Sequence, residues 1–539
     1  MSTEPRKVAS DGKPRIMLQR SDGARSHRIL LASLIALALV VVGSSVDWHR
    51  LSVDGLDGSL NDQVAYVSVA RSLADHGTLE SSVVYPLLLR QHIRRNSLYM
   101  PGFYWVLAAV YKCLGYSAAL SRIPSLIGFL LACWLIYWIA DTLYRGRAAY
   151  YACALFVAFP LSLVYAFTAM MELTLVAAGL ASFVIFLRTK GVARFGVAPI
   201  ALLLPFVFRE TGAIVGVVML AVLAGTTLTG ANKEKRVRYG LICALLMVLI
   251  LAAALYSPLG AERPSLWKAN ILIGRNFEVV YGDAFATDRL PCQMMDWVVA
   301  IRHKFTANLH ALVRPSGESA GFFEQSVLWF TLSGIPLGLV LWFRKRDYFA
   351  LGVGVAVSVL LLALLCLYAV WGYRGVRVLL ILQPFVGVLW GVVLERLTRP
   401  AGLLVHSVSV ILLFVLGTWG ATHVIRSEAE VEEQAKTNTE FLESIVQDRE
   451  LLASPFWLSL DYVNEHYPKK WAFVPSNCET LRLLDERYRI GTLLLLEPES
   501  GSSSSAPLNE ICGAGLKFAG EREFDGSRFR IYRREQGGN

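Results

Sequence analysis

Long apolar runs alternate with short basic clusters along most of the chain. The first run spans Ile29 to Val46, and ten more begin near Ile123, Ala148, Glu172, Phe195, Thr211, Tyr239, Ser326, Tyr348, Val378 and Ala401. Most approach the ~20 residues that an α-helix needs to cross a hydrocarbon core. The basic clusters are Arg145/Arg147, Arg188/Lys190/Arg194, Lys233/Lys235/Arg236/Arg238, Arg344/Lys345/Arg346 and Arg396/Arg399. Placed together on the cytoplasmic side, they pair the runs into about eleven spans, with the C-terminus outside. The pattern predicts a polytopic all-α membrane domain in an inner (plasma) membrane.

Residues 1–28 carry Arg6, Lys7, Lys13, Arg15, Arg20, Arg25 and Arg28 and read as a cytoplasmic basic tail. The run that follows is longer than a signal-peptide core, so it reads as an uncleaved anchor. Gly102 to Gly115 is apolar but short. A crossing there would turn every later basic cluster outward, so an interfacial or re-entrant helix is expected. Its Phe103, Tyr104, Trp105 and Tyr111 suit the headgroup region.

The membrane domain then covers residues 29–426, with large outer loops at 47–100 and 257–325. Residues 427–539 read as a small extracytoplasmic α/β domain. "WAFVP", "TLLLLEP" and "RFRIYRRE" have strand character, "CETLRLLDERY" has helical spacing, and "GSSSSAP" is a loop.

Composition agrees with the pattern. The chain of 539 residues is 55% hydrophobic and 17% charged, against about 25% charged in soluble proteins. The net charge of +10 comes largely from topology-setting clusters, so it does not argue for nucleic acid. Of the eight cysteines, most lie in apolar runs and none has metal-ligand spacing. Cys478 and Cys512 share the C-terminal part, where an oxidising compartment permits a disulfide.

The chemistry gathers at the outer ends of the runs. Asp62 closes a Ser59-x-x-Asp62 capping box, and capping alone accounts for it there. Glu172 opens an apolar run, as a helix N-terminal acid or as a group facing a cavity. Arg209 and Glu210 follow the Arg194 cluster by too few residues to clear the membrane, as a neutralising pair or as a phosphate site. Arg374 and Arg377 oppose the positive-inside bias and require an anionic ligand or an acidic partner. Arg90, His92, Arg94 and Arg95 add positive charge to the first outer loop.

The order of these features resembles the GT-C superfamily of integral membrane glycosyltransferases. The nearest branch contains protein O-mannosyltransferases and the aminoarabinose transferases that modify lipid A. Asp62-Gln63, Tyr66, Ala70 and Leu73 match its first outer helix. "YMPGFYWVLAAVYKCLG", "FPLSLVYAFTAMMELTL" and "YRGVRVLLILQPF" match its later motifs. Two positions depart from it. Gln63 replaces the second acid of the usual pair, and Tyr99-Met100 precede a Pro101-Gly102 pair where the family often has Lys or His.

The resemblance implies a polyprenyl-phosphate-linked sugar donor and inverting transfer on the outer face. Asp62 would be the general base on an acceptor hydroxyl of a glycan, lipid or protein. Substrate-binding roles would fall to Tyr66, Glu172, Arg209, Glu210, Arg374 and Arg377, with Arg94 or Arg95 substituting at the altered phosphate contact. No Gly-rich phosphate loop or Walker pattern is present in the sequence. Asp54, Asp57 and Asp62 leave a divalent cation open, although a solvated acidic loop explains them equally. Two other classes fit a polytopic chain: a secondary transporter of an anionic or sugar-like solute, and a non-catalytic assembly partner. A transporter would place its polar groups near the midplane between repeated halves, whereas these gather at one face.

Overall fold

A computed structural model describes residues 19–46, 48–49, 62–84, 100–228, 233–256, short pieces between 301 and 309, 320–367, 377–427, 429–446, 451–454, 467–474, 478–496 and 515–534. The first apolar run lies in α1 (Gln19–Gly43). Two shorter helices follow, α2 (Asp62–His76) and α3 (Gly102–Leu114). α3 has 13 residues and rises ~20 Å, too little for a ~30 Å core.

The remaining runs form α4 (Ala118–Tyr144), α5 (Ala148–Ala158), α6 (Pro160–Ala166), α7 (Glu172–Arg188), α8 (Ala193–Phe206), a 3₁₀ turn (Glu210–Ile214) and α9 (Val215–Leu228). Then come α10 (Lys233–Tyr256), α11 (Ala320–Leu332), α12 (Gly334–Lys345), α13 (Tyr348–Leu367), α14 (Gln383–Thr398) and α15 (Gly402–Ser427). Helical segments thus occupy every run that the hydropathy pattern marks.

Length separates them. Among the described residues, four helices are long and apolar enough to cross a membrane singly: Ala118–Tyr144, Gln325–Lys345, Tyr348–Cys366 and Gly402–Arg426. The pair α5 and α6, bent by 72°, adds a fifth if it is one broken span. The pattern leads to about eleven, and three of its runs are broken locally. Pro160 removes an amide donor at the α5–α6 joint. Pro199 and Pro205 lie inside α8, which ends at Phe206. A break at 380–382 precedes α14.

Small residues let these helices approach closely, the usual device where lipid removes the hydrophobic drive. A Cβ at Gly391 would lie 2.5 Å from the Ala148 carbonyl oxygen, and one at Gly417 would lie 2.1 Å from that of Val157. α14 and α15 thus press directly on α5. Polar pins fix the basic-cluster ends. Glu395 accepts the Ala148 amide at 3.1 Å, and the Tyr144 hydroxyl donates to Asp347 at 2.7 Å.

The C-terminal part begins with α16 (Ala429–Ile445) and builds a six-stranded sheet. Its strands are β1 (Val83–Val84), β2 (Leu451–Ser454), β3 (Trp471–Phe473), β4 (Ile490–Leu496), β5 (Leu516–Phe524) and β6 (Ser527–Arg534). They lie in the order β1-β3-β2-β4-β6-β5. β1, β3, β2 and β4 run parallel, and β4, β6 and β5 pair antiparallel. α17 (Cys478–Tyr488) connects β3 to β4 and contributes Leu481 and Leu484 to the small core.

The three strands and the helix read from the sequence all form. Strands β2 and β5 were not anticipated there. Nor was β1, which comes from the loop between α2 and α3 rather than from residues 427–539. Cys478 is disulfide-bonded; its partner lies outside the described residues.

Candidate active site

Glu172 is the first residue of α7 and its carboxylate is 2% exposed. Arg209 Nη1 donates to its Oε1 at 3.3 Å. Arg377 Nε stands 3.8 Å from the same oxygen. Both arginines are buried as well. A carboxylate removed from water is tolerated when cations compensate it. One acid against two guanidiniums leaves this trio net positive. The neighbouring Arg209 and Glu210 do not describe the pairing fully, because Arg209 reaches across to α7.

The backbone around Arg209 explains how a charge enters here. α8 has 14 residues, a rise of ~21 Å. The chain then turns at Val207 and Phe208, and Arg209 adopts extended dihedrals before the 3₁₀ turn. Gly212 is required for that turn: a Cβ there would sit 2.6 Å from the Pro205 carbonyl. The Val207 carbonyl also accepts the Gly102 amide at 3.0 Å, which seats the start of α3 on the same turn. Glu210 opens the 3₁₀ turn and is half-buried.

α2 approaches from the other side. Gln63 is fully buried, and its Oε1 accepts the Ala169 amide at 2.8 Å. The position that departs from an acid pair is therefore a structural tether. It joins the start of α2 to the turn that leads into Glu172. Tyr66, one helical turn on, is fully buried edge-on to Phe103, with ring centroids 5.4 Å apart, and tilted on Tyr104 at 6.0 Å. Asp62 is the first residue of α2 and thus directly precedes the tether. Its side chain, like Arg94, Arg95 and Arg374, lies outside the described residues.

One residue escaped the sequence reading. Arg122, in the second turn of α4, is only 1% exposed. Its guanidinium lies 5.7 Å from the Trp48 ring centroid. Trp48 in turn meets Phe167 edge-on, with centroids 5.8 Å apart. One turn along α4, Ser125 donates to the Met170 carbonyl at 2.6 Å. A Cβ at Gly128 would lie 2.9 Å from the Leu173 backbone. α4 is thereby held against the start of α7, with Arg122 near its N-terminal end. The signal was available: Arg122 is a charge at the edge of a long apolar run, where burial is costly unless it is compensated.

The elements that converge are the starts of α2, α3 and α7, the break after α8 and the turn before α14, with α4 held against the start of α7. Glu172, Arg209 and Arg377 are in direct contact there, and Gln63 is tied to the turn before Glu172. Buried guanidiniums held in fixed geometry can bind a phosphate and stabilise charge that grows on it. Among the described residues, no three His, Cys, Asp or Glu side chains group as metal ligands. Asp54 and Asp57 lie outside those residues.

No family model matches the sequence, and no curated protein matches it. Among solved structures, the chain is similar to the crystal structure of ArnT from Cupriavidus metallidurans bound to undecaprenyl phosphate. The identity is 15% over 94% of this chain and 98% of that one, with a TM-score of 0.42. For the apo state of the same protein, the identity is 16% over 95% and 98%, with a TM-score of 0.41. It is also similar to the cryo-EM structure of the arabinosyltransferase EmbB from Mycobacterium smegmatis. There the identity is 15% over 92% of this chain and 46% of that one, with a TM-score of 0.35.

Proposed function

We propose that this chain is an integral membrane glycosyltransferase. It takes a sugar from a polyprenyl-phosphate donor and transfers it, with inversion, to an acceptor hydroxyl on the outer face. The observation that carries the reading is the buried trio of Glu172, Arg209 and Arg377, set one backbone tether away from the residue that opens α2.

In this mechanism Asp62 accepts the proton of the attacking hydroxyl, a contribution of ~10²–10⁴-fold. The hydroxyl oxygen forms a bond to the anomeric carbon as the bond to the phosphate oxygen breaks. Arg209 and Arg377 stabilise the negative charge that the departing lipid phosphate gains. Glu172 holds the two guanidiniums in place and limits their mutual repulsion. Arg122, Arg94, Arg95 and Arg374 add positive potential on the same side, and Tyr66 and Glu210 shape the walls. The acceptor is a glycan, lipid or protein presented by the outer compartment.

The disulfide at Cys478 supports an oxidising compartment for the C-terminal part. It agrees with about eleven spans, a cytoplasmic N-terminus and an outer C-terminus in an inner (plasma) membrane. The charged groups concentrate where α2, α4 and α7 begin rather than midway along the helices, which disfavours a transporter.

The test uses the purified full-length protein in nanodiscs with a panel of polyprenyl-phosphate sugars. Release of polyprenyl phosphate is measured for wild type, Asp62→Asn and Arg209→Gln. Release by wild type with a loss of about 10²-fold or more in Asp62→Asn is expected. Transfer by a folded Asp62→Asn at the wild-type rate removes Asp62 as the base.

A further inference from the structure

The C-terminal sheet is fastened to α2 by contacts that the transfer chemistry does not use. α2 has 15 residues, a length at which an isolated helix is marginal in water. Its placement therefore depends on what grips it. Gln63 fixes one end. The other half meets the sheet.

Arg71 lies about 13 Å along the helix from Asp62. Its guanidinium is sandwiched between two tyrosine rings, 3.8 Å from the Tyr116 centroid and 4.0 Å from that of Tyr467. Tyr116 belongs to the α3–α4 joint, whereas Tyr467 belongs to the segment leading into β3. One turn on, Asp75 is hydrogen-bonded by the Tyr467 hydroxyl. Two positions of α2 spaced i, i+4 therefore hold the same tyrosine.

The chain just after α2 continues the attachment. Ser68 and Ser81 are hydrogen-bonded at 3.0 Å, and both are buried. Glu80 pairs with Lys470 at 3.6 Å. Ser82 accepts the Trp471 amide at 2.9 Å, and Val83–Val84 then form the edge strand beside β3. A two-residue strand has little stability of its own. Here it converts the sheet into a brace for α2.

We propose that Arg71 is a positioning residue. With Tyr467 it makes the C-terminal sheet a rigid support that fixes the angle and rotation of α2, and so the position of Asp62 in the site. The inference rests on the glycosyltransferase reading for its effect on rate, but the brace itself is a physical contact that can be measured without activity. A misplacement near 1 Å at a reacting group can cost about 10²-fold, so loosening α2 should act on kcat. Donor affinity, set by Arg209 and Arg377 on other elements, should change little.

The test compares full-length wild type, Arg71→Ala, Arg71→Lys, Tyr467→Ala and Tyr467→Phe in nanodiscs. Hydrogen exchange of peptides covering 62–76 is the first readout. Arg71→Ala and Tyr467→Ala should exchange at least tenfold faster there, with α4 and α7 unchanged. Arg71→Lys and Tyr467→Phe, which keep a cation and a ring, should retain most of the protection. The second readout is transfer, where Arg71→Ala should lower kcat about tenfold or more with KM for the donor within about twofold. Unchanged protection of 62–76 in both alanine variants overturns the brace. Loosened α2 with wild-type kcat overturns the positioning role. A wild-type rate in Asp62→Asn, by contrast, defeats the functional reading while the exchange result stands by itself.

Discussion

At the scale of single residues, the deciding quantity is uncompensated charge. Glu172→Ala would leave two buried guanidiniums without their shared carboxylate. Breaking a buried ion pair from one side typically costs ~3–5 kcal/mol. A large loss of thermal stability and of detergent-soluble yield is expected, measured by thermal unfolding of the purified protein. Glu172→Gln keeps the shape and a hydrogen-bond acceptor, so it should fold better while still losing transfer. Gln63→Ala removes the acceptor of the buried Ala169 amide, at a cost of about 1–3 kcal/mol. Gln63→Glu would test whether a second acid is tolerated where an amide oxygen now serves.

These roles were unequally legible beforehand. Glu172, Arg209 and Arg377 could be singled out because charge in an apolar run is costly wherever it falls. Their pairing could not, since Arg209 has Glu210 as its sequence neighbour yet bonds Glu172 through space. Gln63 read as a departure from an acidic motif, and only its contact with Ala169 gives it a purpose. Arg122 stands one residue before the run that begins near Ile123, so the hydropathy pattern leaves it outside the helix that in fact contains it.

At the scale of elements, glycines decide how closely helices pass. Gly128→Val would force a branched side chain into the Leu173 backbone, since even a Cβ would lie 2.9 Å away. Overpacking of this kind costs ~1–3 kcal/mol, and here it displaces the start of α7 that carries Glu172. Reduced transfer should exceed what the stability loss explains, checked by comparing rate and melting temperature with those of Gly196→Val. A Cβ at Gly196 meets nothing within 4 Å. The hydropathy pattern placed the helices well, because burial in lipid or protein selects apolar residues over whole turns. It did not register the break between α5 and α6, or how α8 stops short at Pro205 and Phe206. Those depend on single prolines and on the turn around Gly212.

At the scale of the whole molecule, the C-terminal sheet meets the helical part through the short strand β1, the Glu80–Lys470 pair and the Arg71–Tyr467 contact. Val84→Pro would insert a residue with no amide donor and a fixed φ into the β1 edge. It should loosen the attachment, with faster proteolysis between 77 and 100 as the measurement. The Tyr467 contact also predicts a pH window. Burial foremost, and then Asp75, raise the Tyr467 hydroxyl above its ordinary 10.0. A raised value means that the contact contributes fully below about pH 10 and is lost as pH climbs through the raised value. Exchange protection of α2 should therefore be flat from neutral pH to about 10 after correction for intrinsic rates, and fall only above it.

By itself, the sequence determined that the chain is a helical membrane protein and that several of its apolar runs carry a charged residue at one end. Those properties follow from the free energy of placing each side chain in lipid or water, which is additive along the chain. Only the tertiary structure decided which charges share a site, that Gln63 ties α2 to the turn before Glu172, and that Val83–Val84 belong to a sheet whose other strands lie more than three hundred residues away. Those are contacts between distant segments, and no local pattern of polarity specifies the partner of a buried charge or of an edge strand.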